Sequence, residues 1–327
     1  MKKGHALLLS IISDGKLHSG EKLASQLNIT RAAIWKSIQH LKSLGLLIEA
    51  VRGKGYRLPK PIELLSEKKI KKSLTPTARK CCRVLEILFK TESTNSYLFN
   101  RLGSEQIHGN AVLAEYQSNG RGRRGNKWFS PIGSGICLSV GWQFDIAPGA
   151  LGLLSLYMGV ATARALRAVR LSNVGLKWPN DIVVMDKKIG GILLEMRGEA
   201  GGPVDVVIGI GINFELQKNA ISNIGQPATD ICSLTNQRLS RNRIAATLLS
   251  NVFEILEDLK SGMNSNLIEE WRRFDCYAEK KARLILPNEE IEGILKGVDK
   301  QGVLLMSVDG KLMSYTSGEV SLRVRES

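Results

Sequence analysis

The stretch Pro59-Lys60-Pro61 ends the first sixty residues, and everything ahead of it is spaced for one small separate unit. Each proline disfavours helix in the residue before it, so the tripeptide reads as a stiff border. Leu7, Leu8, Ile11 and Ile12 recur at helical spacing until Gly15 breaks the pattern. Ser19 can cap a second helix, with Glu21 in its first turn and Leu23, Ala24 and Leu27 on its inner face. A tight turn at Asn28-Ile29 and a second cap at Thr30 lead into a third helix, from Arg31 to about Leu44. Ile34, Ile38 and Leu41 line one face of it, and Ala32, Trp35, Lys36, Gln39 and His40 fall on or near the other. Gly45 stops the helix. Leu46 to Leu58 then alternates around Arg52-Gly53-Lys54-Gly55, as a two-stranded wing does. The order predicts a winged helix-turn-helix over residues 1–62.

Charge bears on what such a unit would touch. The chain carries a formal net charge of +15, and residues 1–65 hold 11 Lys/Arg against 4 Asp/Glu. An excess of that size favours a polyanionic partner. A winged helix used only for protein contacts is the alternative, but the basicity and the polar outer face of the third helix favour DNA. The second helix of such a pair enters the major groove with its N-terminal residues against base edges. Ser19, Thr30, Arg31, Ala32, Trp35 and Lys36, with Arg52 and Lys54 at the wing tip, are therefore the candidate DNA-contacting residues.

At 327 residues the chain predicts two or three domains. Hydrophobic residues at 43% and charged residues at 24% argue for a packed core and against disorder. No apolar run approaches the roughly twenty residues of a membrane span, and the N-terminal stretch Ala6 to Ile12 is too short, and lacks the cleavage site, for a signal peptide. No membrane partner is expected. Five cysteines at 81, 82, 137, 232 and 276 are odd in number and lack CxxC spacing, which fits neither a disulfide framework nor a zinc site. They suit a reducing cytosol, so a cytoplasmic location is expected. The vicinal pair Cys81-Cys82 is either redox-active or a pair of incidental buried thiols.

Residues 66–275 mix helix and strand signals. Val112-Leu113-Ala114, Ile136 to Val140, Ile182 to Val184, Ile192-Leu193-Leu194 and Val204 to Ile212 read as strands; Leu151 to Val169 and Arg243 to Leu259 read as helices. Neighbouring strands without helices between them predict an α+β domain with a mixed sheet. Residues 276–327 are strand-rich, with turns at Asp299-Lys300 and Asp309-Gly310, and predict a small antiparallel β-barrel.

The chemistry concentrates in Gly120-Arg121-Gly122-Arg123-Arg124-Gly125-Asn126-Lys127-Trp128-Phe129-Ser130-Pro131. Read literally it holds GxGxxG, with Asp145 about twenty residues on. A dinucleotide fold does not follow, because the variable positions are arginines and the run continues into Trp-Phe-Ser-Pro instead of opening a helix. Glycines let backbone approach a ligand while cations neutralise it, so the run reads as a clamp for a polyphosphate or an acyl-phosphate. Arg121, Arg123 and Arg124 can give bidentate donors and Lys127 a point charge. Trp128 either stacks on a purine or anchors the loop.

The same run resembles the glycine-rich loop of the biotin–protein ligases. Lys177-Trp178-Pro179-Asn180-Asp181 resembles that family's second signature, and Lys188-Ile189-Gly190-Gly191-Ile192-Leu193 its lysine-bearing strand. The likeness is greatest to the bifunctional members, which are also biotin-operon repressors. It implies a central catalytic domain of the class II synthetase type behind the winged helix and an SH3-like C-terminal barrel. It further implies that Ser93, Thr94, Asn95 and Gln117 contact the biotin ring system, and that Arg121, Gly122 and Arg123 order over biotin and its adenylate. Lys188 would meet the biotin carboxylate and the α-phosphate, and the backbone at Gly209 and Gly211 would line the pocket. Lys177, Asn180, Asp181, Arg124, Lys127 and Trp128 would serve ATP and Mg²⁺, with no metal held tightly by the protein. Competing readings stand at four places: Ser93-Thr94 as a helix cap, Lys188 as a surface lysine, Gly209 to Asn213 as a strand with small residues for close packing, and Lys177 to Asp181 as a turn about Pro179. Asn126 departs from the basic residue many relatives carry there.

The implied reaction joins biotin to ATP as biotinyl-5′-AMP and passes the biotinyl group to one lysine of the biotin carboxyl carrier protein of acetyl-CoA carboxylase. The adenylate-bound form would be a homodimer that represses biotin synthesis genes at their operator DNA. Lys188, Arg121 and Arg123 are the expected catalytic cations. A lipoate or octanoate ligase, and a biotin-sensing transcription factor without ligase activity, are the two rivals.

Overall fold

The structure is a computed structural model, and it describes all residues except 1–2, 103–105, 146–147, 199–202, 218–223, 236, 238, 262–264, 287–288, 317–320 and 325–327. The N-terminal unit is α1 (Lys3–Ile12), α2 (Gly20–Leu27), α3 (Arg31–Ser43) and a hairpin of β1 (Glu49–Val51) with β2 (Gly55–Arg57). Ser19 Oγ accepts from Lys22 N at 3.1 Å and Thr30 Oγ1 from Ala33 N at 3.2 Å, so both expected caps form. Leu8, Leu9, Ile12, Leu23, Ile34, Ile38 and Leu41 are fully buried together. Two side chains differ from the expected pattern. Leu7 is 53% exposed, with Leu9 taking the inward place, and His40 is turned inward, its ring tilted against that of His5 with centroids 4.5 Å apart.

The central domain adds α4 (Glu67–Ser73), α5 (Pro76–Cys81), β3 (Val84–Thr91), α6 (Thr94–Phe99), β4 (Asn110–Gln117), the short pair β5 (Gly120–Arg121) and β6 (Lys127–Trp128), and β7 (Gly135–Phe144). There follow α7 (Leu154–Ala168), β8 (Val174–Lys177), β9 (Asp181–Val184), β10 (Lys187–Gly198), β11 (Val204–Asn213), α8 (Ile231–Leu234), α9 (Arg241–Asp258) and α10 (Ser265–Phe274). Seven strands form one mixed sheet in the order β3-β4-β7-β11-β10-β9-β8, parallel only between β3 and β4. The strands β8 to β11, consecutive and with no helix between them, lie side by side, while β7 pairs across to β11.

Period-two alternation sets the two faces of this sheet. Along β11, Ile208, Ile210 and Ile212 sink into the core shared with α7 and α9, while Gly209 and Gly211 point the other way. Gly211 pairs in register with Gly191 on β10, so two neighbouring strands lack side chains at the same spot and leave a hollow. A register shift between Lys188 and Gly190 interrupts the β9–β10 ladder. A bulge of this kind changes which face a side chain takes. It brings the Lys188 stem beside Gly191, where an added Cβ would sit 3.2 Å from Lys188 Cε.

The C-terminal strands β12 (Lys281–Ile285), β13 (Glu290–Val298), β14 (Leu304–Val308), β15 (Lys311–Tyr315) and β16 (Ser321–Val324) form an antiparallel sheet in the order β15-β14-β13-β12-β16. Leu284, Leu295 and Met306 belong to the same buried cluster as the central core. Trp178 Nε1 donates to Gly302 O at 3.1 Å, so the indole of the Lys177 to Asp181 segment anchors this sheet.

The N-terminal unit is docked, not tethered loosely. Ile132, just past the glycine-rich run, is buried in the winged-helix core, and Phe89 and Tyr116 pack against the same cluster. Gln217 Nε2 donates to Gly45 O at 2.8 Å. The connecting segment is held at both ends: Ile62 N donates to Ser13 O at 2.8 Å, and Arg241 and Asn242 donate to Glu63 O and Leu64 O at 2.9 Å each. Arg241 is completely buried and forms an ion pair of 2.9 Å with Glu115, which is 5% exposed; the backbone acceptors Glu63 O and Gly135 O take further guanidinium protons.

Candidate active site

The hollow over Gly191 and Gly211 opens into a cavity of about 730 Å³. Its lining brings together Ser93, Thr94, Asn95, Gln117, Arg121 to Arg124, Lys127, Trp128, Lys177, Asn180, Asp181, Lys188, Gly209 and Gly211, although 118 positions separate the first from the last. Every ligase-site residue expected from the sequence is at this one pocket.

One end is a closed polar nest. Ser93 caps α6, accepting from Ser96 N at 3.5 Å, and it also lines the pocket, so the two readings of it are compatible. Gln117 Oε1 accepts from Thr94 N at 2.8 Å and Thr94 Oγ1 at 3.1 Å. Ser139 Oγ, fully buried, lies 2.7 Å from Thr94 Oγ1 and 2.6 Å from Asn95 Oδ1, with one hydroxyl proton shared between the two acceptors. Asn95 Nδ2 donates to Leu193 O at 3.2 Å and to Glu195 Oε2 at 2.9 Å. Such a nest presents fixed amide and hydroxyl groups, which match a neutral ligand with both donors and acceptors. Gly209 is indispensable here, because a Cβ would overlap the Asn95 side chain.

The other end is cationic. Lys188 Nζ lies 2.5 Å from Asp181 Oδ1, and its backbone is pinned by Pro227 O and Thr229 N at 2.9 Å each. Arg123 Nη1 reaches Asn180 Oδ1 at 3.4 Å, whereas Arg121 Nη2 reaches Glu195 Oε2 at 2.7 Å, the oxygen that also accepts from Asn95, so Arg121 borders the nest. Burial lowers the Arg123 pKa from its ordinary value, with Asp181 pulling the other way. Arg124 takes a left-handed backbone (φ 55°) in a single 3₁₀ turn over Arg123–Gly125, and its side chain is exposed. Trp128 lies between the two ends, its indole against Gly211, where an added Cβ would sit 2.6 Å from Cζ2. Lys177 lies 5.7 Å from the Tyr277 ring centroid.

Three contributors were not foreseen. Ser139, Glu195 and the winged-helix residues Ser43 to Gly45 all line or support the site. Ser139 lies in an apolar strand and Glu195 is 74 positions from Arg121, so no local spacing links them. Burial pushes all five thiols up, Cys82 and Cys276 to about 11 and Cys232 to about 12. None is activated as a nucleophile.

The expected DNA-contacting residues lie outside this pocket, on the winged-helix unit. Ser19 and Thr30 have their hydroxyls engaged as caps, while Arg31, Ala32, Lys36, Arg52 and Lys54 are exposed and Trp35 is 54% exposed on α3.

Comparison with known proteins agrees along the whole chain. The family model described as the biotin/lipoate A/B protein ligase family matches residues 88–213, an HTH domain model matches 5–57, and the biotin protein ligase C-terminal domain matches 281–323. The "Bifunctional ligase/repressor BirA" of Salmonella typhimurium is 39% identical over 98% of this chain and 97% of its own length. A Mycobacterium tuberculosis "Biotin--[acetyl-CoA-carboxylase] ligase" is 33% identical over 73% of this chain and 88% of its own. The biotin protein ligase of Aquifex aeolicus, solved with biotin and ATP, superposes with a TM-score of 0.64 at 27% identity, covering 74% of this chain and 100% of that one. With this coverage and these three consecutive domains, the chain belongs to the family of bifunctional biotin–protein ligases and repressors.

Proposed function

We propose that the pocket activates biotin with ATP, passes it to a carrier-protein lysine, and reports its own occupancy to the winged helix. The observation that carries this reading is the joining, in one cavity, of the neutral nest around Asn95 with the cations Lys188, Arg121 and Arg123. The ureido group of biotin fits the nest, and its carboxylate then points along Trp128 toward Lys188. A carboxylate oxygen attacks the α-phosphorus, the bond to the bridging oxygen breaks, and pyrophosphate leaves. Two anions meet in that step, so fixed positive charge lowers its barrier. The ε-amine of the acceptor lysine then attacks the acyl carbon of the mixed anhydride. The amide forms, AMP leaves with the electron pair of the broken C–O bond, and the amine gives up its proton.

ATP is a substrate, with Lys177, Arg124 and Lys127 facing its phosphates. Mg²⁺ fits beside it as an ion carried chiefly by phosphate oxygens and water. Asp181 is the one carboxylate among the described lining residues, and no group of three or more His, Cys, Asp or Glu there could hold a metal. The ion would neutralise phosphate charge, and Asp181 and Asn180 are the residues that would touch it.

The acceptor is the biotin carboxyl carrier protein of acetyl-CoA carboxylase, and the regulatory target is operator DNA of biotin synthesis genes, both met in the cytoplasm. The repressing species is a homodimer. β10 outlasts β9, so Leu194 to Gly198 are paired on one side only among the described residues, with Met196 46% exposed. An open strand edge of this kind suits a second copy related by a two-fold axis. The domains divide at 62/66 and 275/276.

Biotin-dependent exchange of labelled pyrophosphate into ATP tests the activity. Exchange with biotin and none with lipoate is expected. Exchange with lipoate alone, or with neither, would replace the reading by one of its rivals.

A further inference from the structure

The positive charge of this chain lies in two places, and the winged helix is only one of them. Residues 66–83 hold seven Lys/Arg and one Glu, a net of +6 in 18 residues. Residues 84–327, three-quarters of the chain, are almost balanced at 28 Lys/Arg and 26 Asp/Glu. α4 and α5 bury Ile70, Leu74 and Ala78, and leave Lys68, Lys69, Lys71, Lys72, Arg79, Lys80 and Arg83 exposed. Lys71 is paired with Glu67 at 2.6 Å and Lys69 with Glu63 at 3.6 Å; Lys68, Lys72 and Lys80 make no ion pair within 4 Å among the described residues, although Lys80 is near enough to Glu257 of α9 to interact with its charge. Concentrating like charge on one ridge is electrostatically unfavourable unless an anion meets it.

The ridge is rigid and its distance from the winged helix is bounded. Ser66 N donates to Asn242 Oδ1 at 2.7 Å, and Thr75 Oγ1 to Glu254 Oε1 at 2.7 Å, which clips both helices to α9. Ile62 packs on the winged-helix core, and α4 begins at Glu67 after the Ser66 cap. Four residues of chain from Ile62 to Ser66 span at most about 14 Å. From the edge of the DNA-binding unit, the ridge thus starts within a few base pairs' length.

We propose that α4 and α5 form a second DNA-contacting surface, which grips phosphates outside the segment that α3 and the wing address. Lysine predominates here, five to two over arginine. A compact ammonium suits single phosphate contacts, while lysine is depleted at protein–protein interfaces, which favour aromatic and arginine anchors. The ridge has no exposed aromatic, and Val84 at its border is its one large exposed apolar side chain among the described residues. Chemistry and position therefore favour nucleic acid over an acidic protein. The proposal rests on DNA binding by the winged helix and enlarges the footprint that this binding has.

The test uses the full chain loaded with biotin and ATP. Binding is followed by anisotropy on a labelled random-sequence duplex of about 40 base pairs, between roughly 50 and 200 mM salt. Each phosphate contact contributes about 0.9 to the slope of log K against log salt. The triple variant Lys68→Gln/Lys72→Gln/Lys80→Gln should flatten that slope by about two to three, with pyrophosphate exchange unchanged, and the matching Lys→Arg triple should restore it. A separate set, Arg31→Gln/Lys36→Gln/Arg52→Gln, should flatten it independently, and the two effects should add. A ridge variant with the parent's slope overturns the proposal while leaving the winged helix as the DNA-binding unit. A parent with no salt-dependent binding fails both. If the ridge variant instead slows biotin transfer to an acidic acceptor protein at unchanged DNA slope, the surface serves that protein and the proposal is wrong.

Discussion

Lys188 Nζ and Asp181 Oδ1 form a contact of 2.5 Å in which neither side chain is more than 18% exposed, and Arg123 is close enough to feel the same carboxylate. Asp181 thus satisfies the pocket's principal cation from within the chain. A substrate carboxylate and an α-phosphate arriving together present more negative charge than Asp181 does, and can take the ammonium over. Lys188→Ala should lower biotin-dependent pyrophosphate exchange by on the order of a hundredfold or more, as loss of one oxyanion donor does. The melting temperature should fall as well, because the truncation leaves the mostly buried Asp181 without its cation, so exchange is compared at a temperature where both proteins are folded. Near-normal exchange by a folded Lys188→Ala protein would remove this residue from the chemistry.

Gly209 gives a separable prediction. A methyl at this position overlaps the Asn95 side chain, which has partners on every polar atom: Ser139, Leu193 O and Glu195. Displacing it disturbs the neutral nest and leaves Lys188 alone. Gly209→Ala should raise the KM for biotin roughly tenfold to a hundredfold with a much smaller change in kcat, alongside an overpacking penalty of about 1–3 kcal/mol. An unchanged KM for biotin would show that the nest is not where the ring system sits.

The contact between Ile132 and the winged-helix core predicts that the two activities are not fully separable. Removing residues 1–62 bares Ile132, Phe89 and Tyr116 and deletes the Gln217 bond to Gly45. The remaining protein should fold, lose DNA binding and still form adenylate. Its KM for biotin should rise by about tenfold, equivalent to about 1.4 kcal/mol of lost support for the neighbouring run Gly120 to Pro131. Ile132→Ala in the full chain should reproduce part of that rise. If the truncated protein matched the parent in KM, the docking would be irrelevant to the pocket.

Much of this was readable from residues alone, because some signals are local. Ser19, Thr30 and Asn28 declare helix ends by their own chemistry, and the Ile-Gly alternation over 208–212 declares both a strand and an open face. The arginine run announces its charge whatever fold surrounds it. What stayed hidden is non-local or too short for a period. α5 has six residues, and α4 buries a single Ile70 among lysines, so neither shows a stripe. The fully buried pair of Arg241 and Glu115, 126 positions apart, reads as two surface charges until the fold brings them together. Leu7 was misplaced because one apolar helix turn offers two neighbouring faces, and packing against α3 selects Leu8, Leu9 and Ile12.

Arg123 supplies the last prediction, because its position ties retention of the intermediate to closure of the loop. Its guanidinium is held by Asn180, in the segment that carries Asp181, and burial already disfavours its charge. An acyl-phosphate anion beneath it would offset that penalty, so Arg123 is better satisfied with adenylate present than without. Gly120, Gly122 and Gly125 flank it, and their chain entropy opposes closure when no ligand compensates. Arg123→Gly removes the charged contact and adds a fourth unrestrained residue, so closure weakens on both counts. Lys188 and Lys177 remain, and biotinyl-5′-AMP should still form. It should leave faster, by about tenfold or more in off-rate for the loss of about 1.4 kcal/mol or more. Free mixed anhydride acylates exposed lysines without regard to sequence, so a non-acceptor protein incubated with Arg123→Gly, biotin and ATP should become labelled. Repression should weaken in parallel, because under the proposed function the adenylate is what signals to the winged helix. Parent-like off-rate together with parent-like bystander labelling would mean that Arg123 does not retain the intermediate.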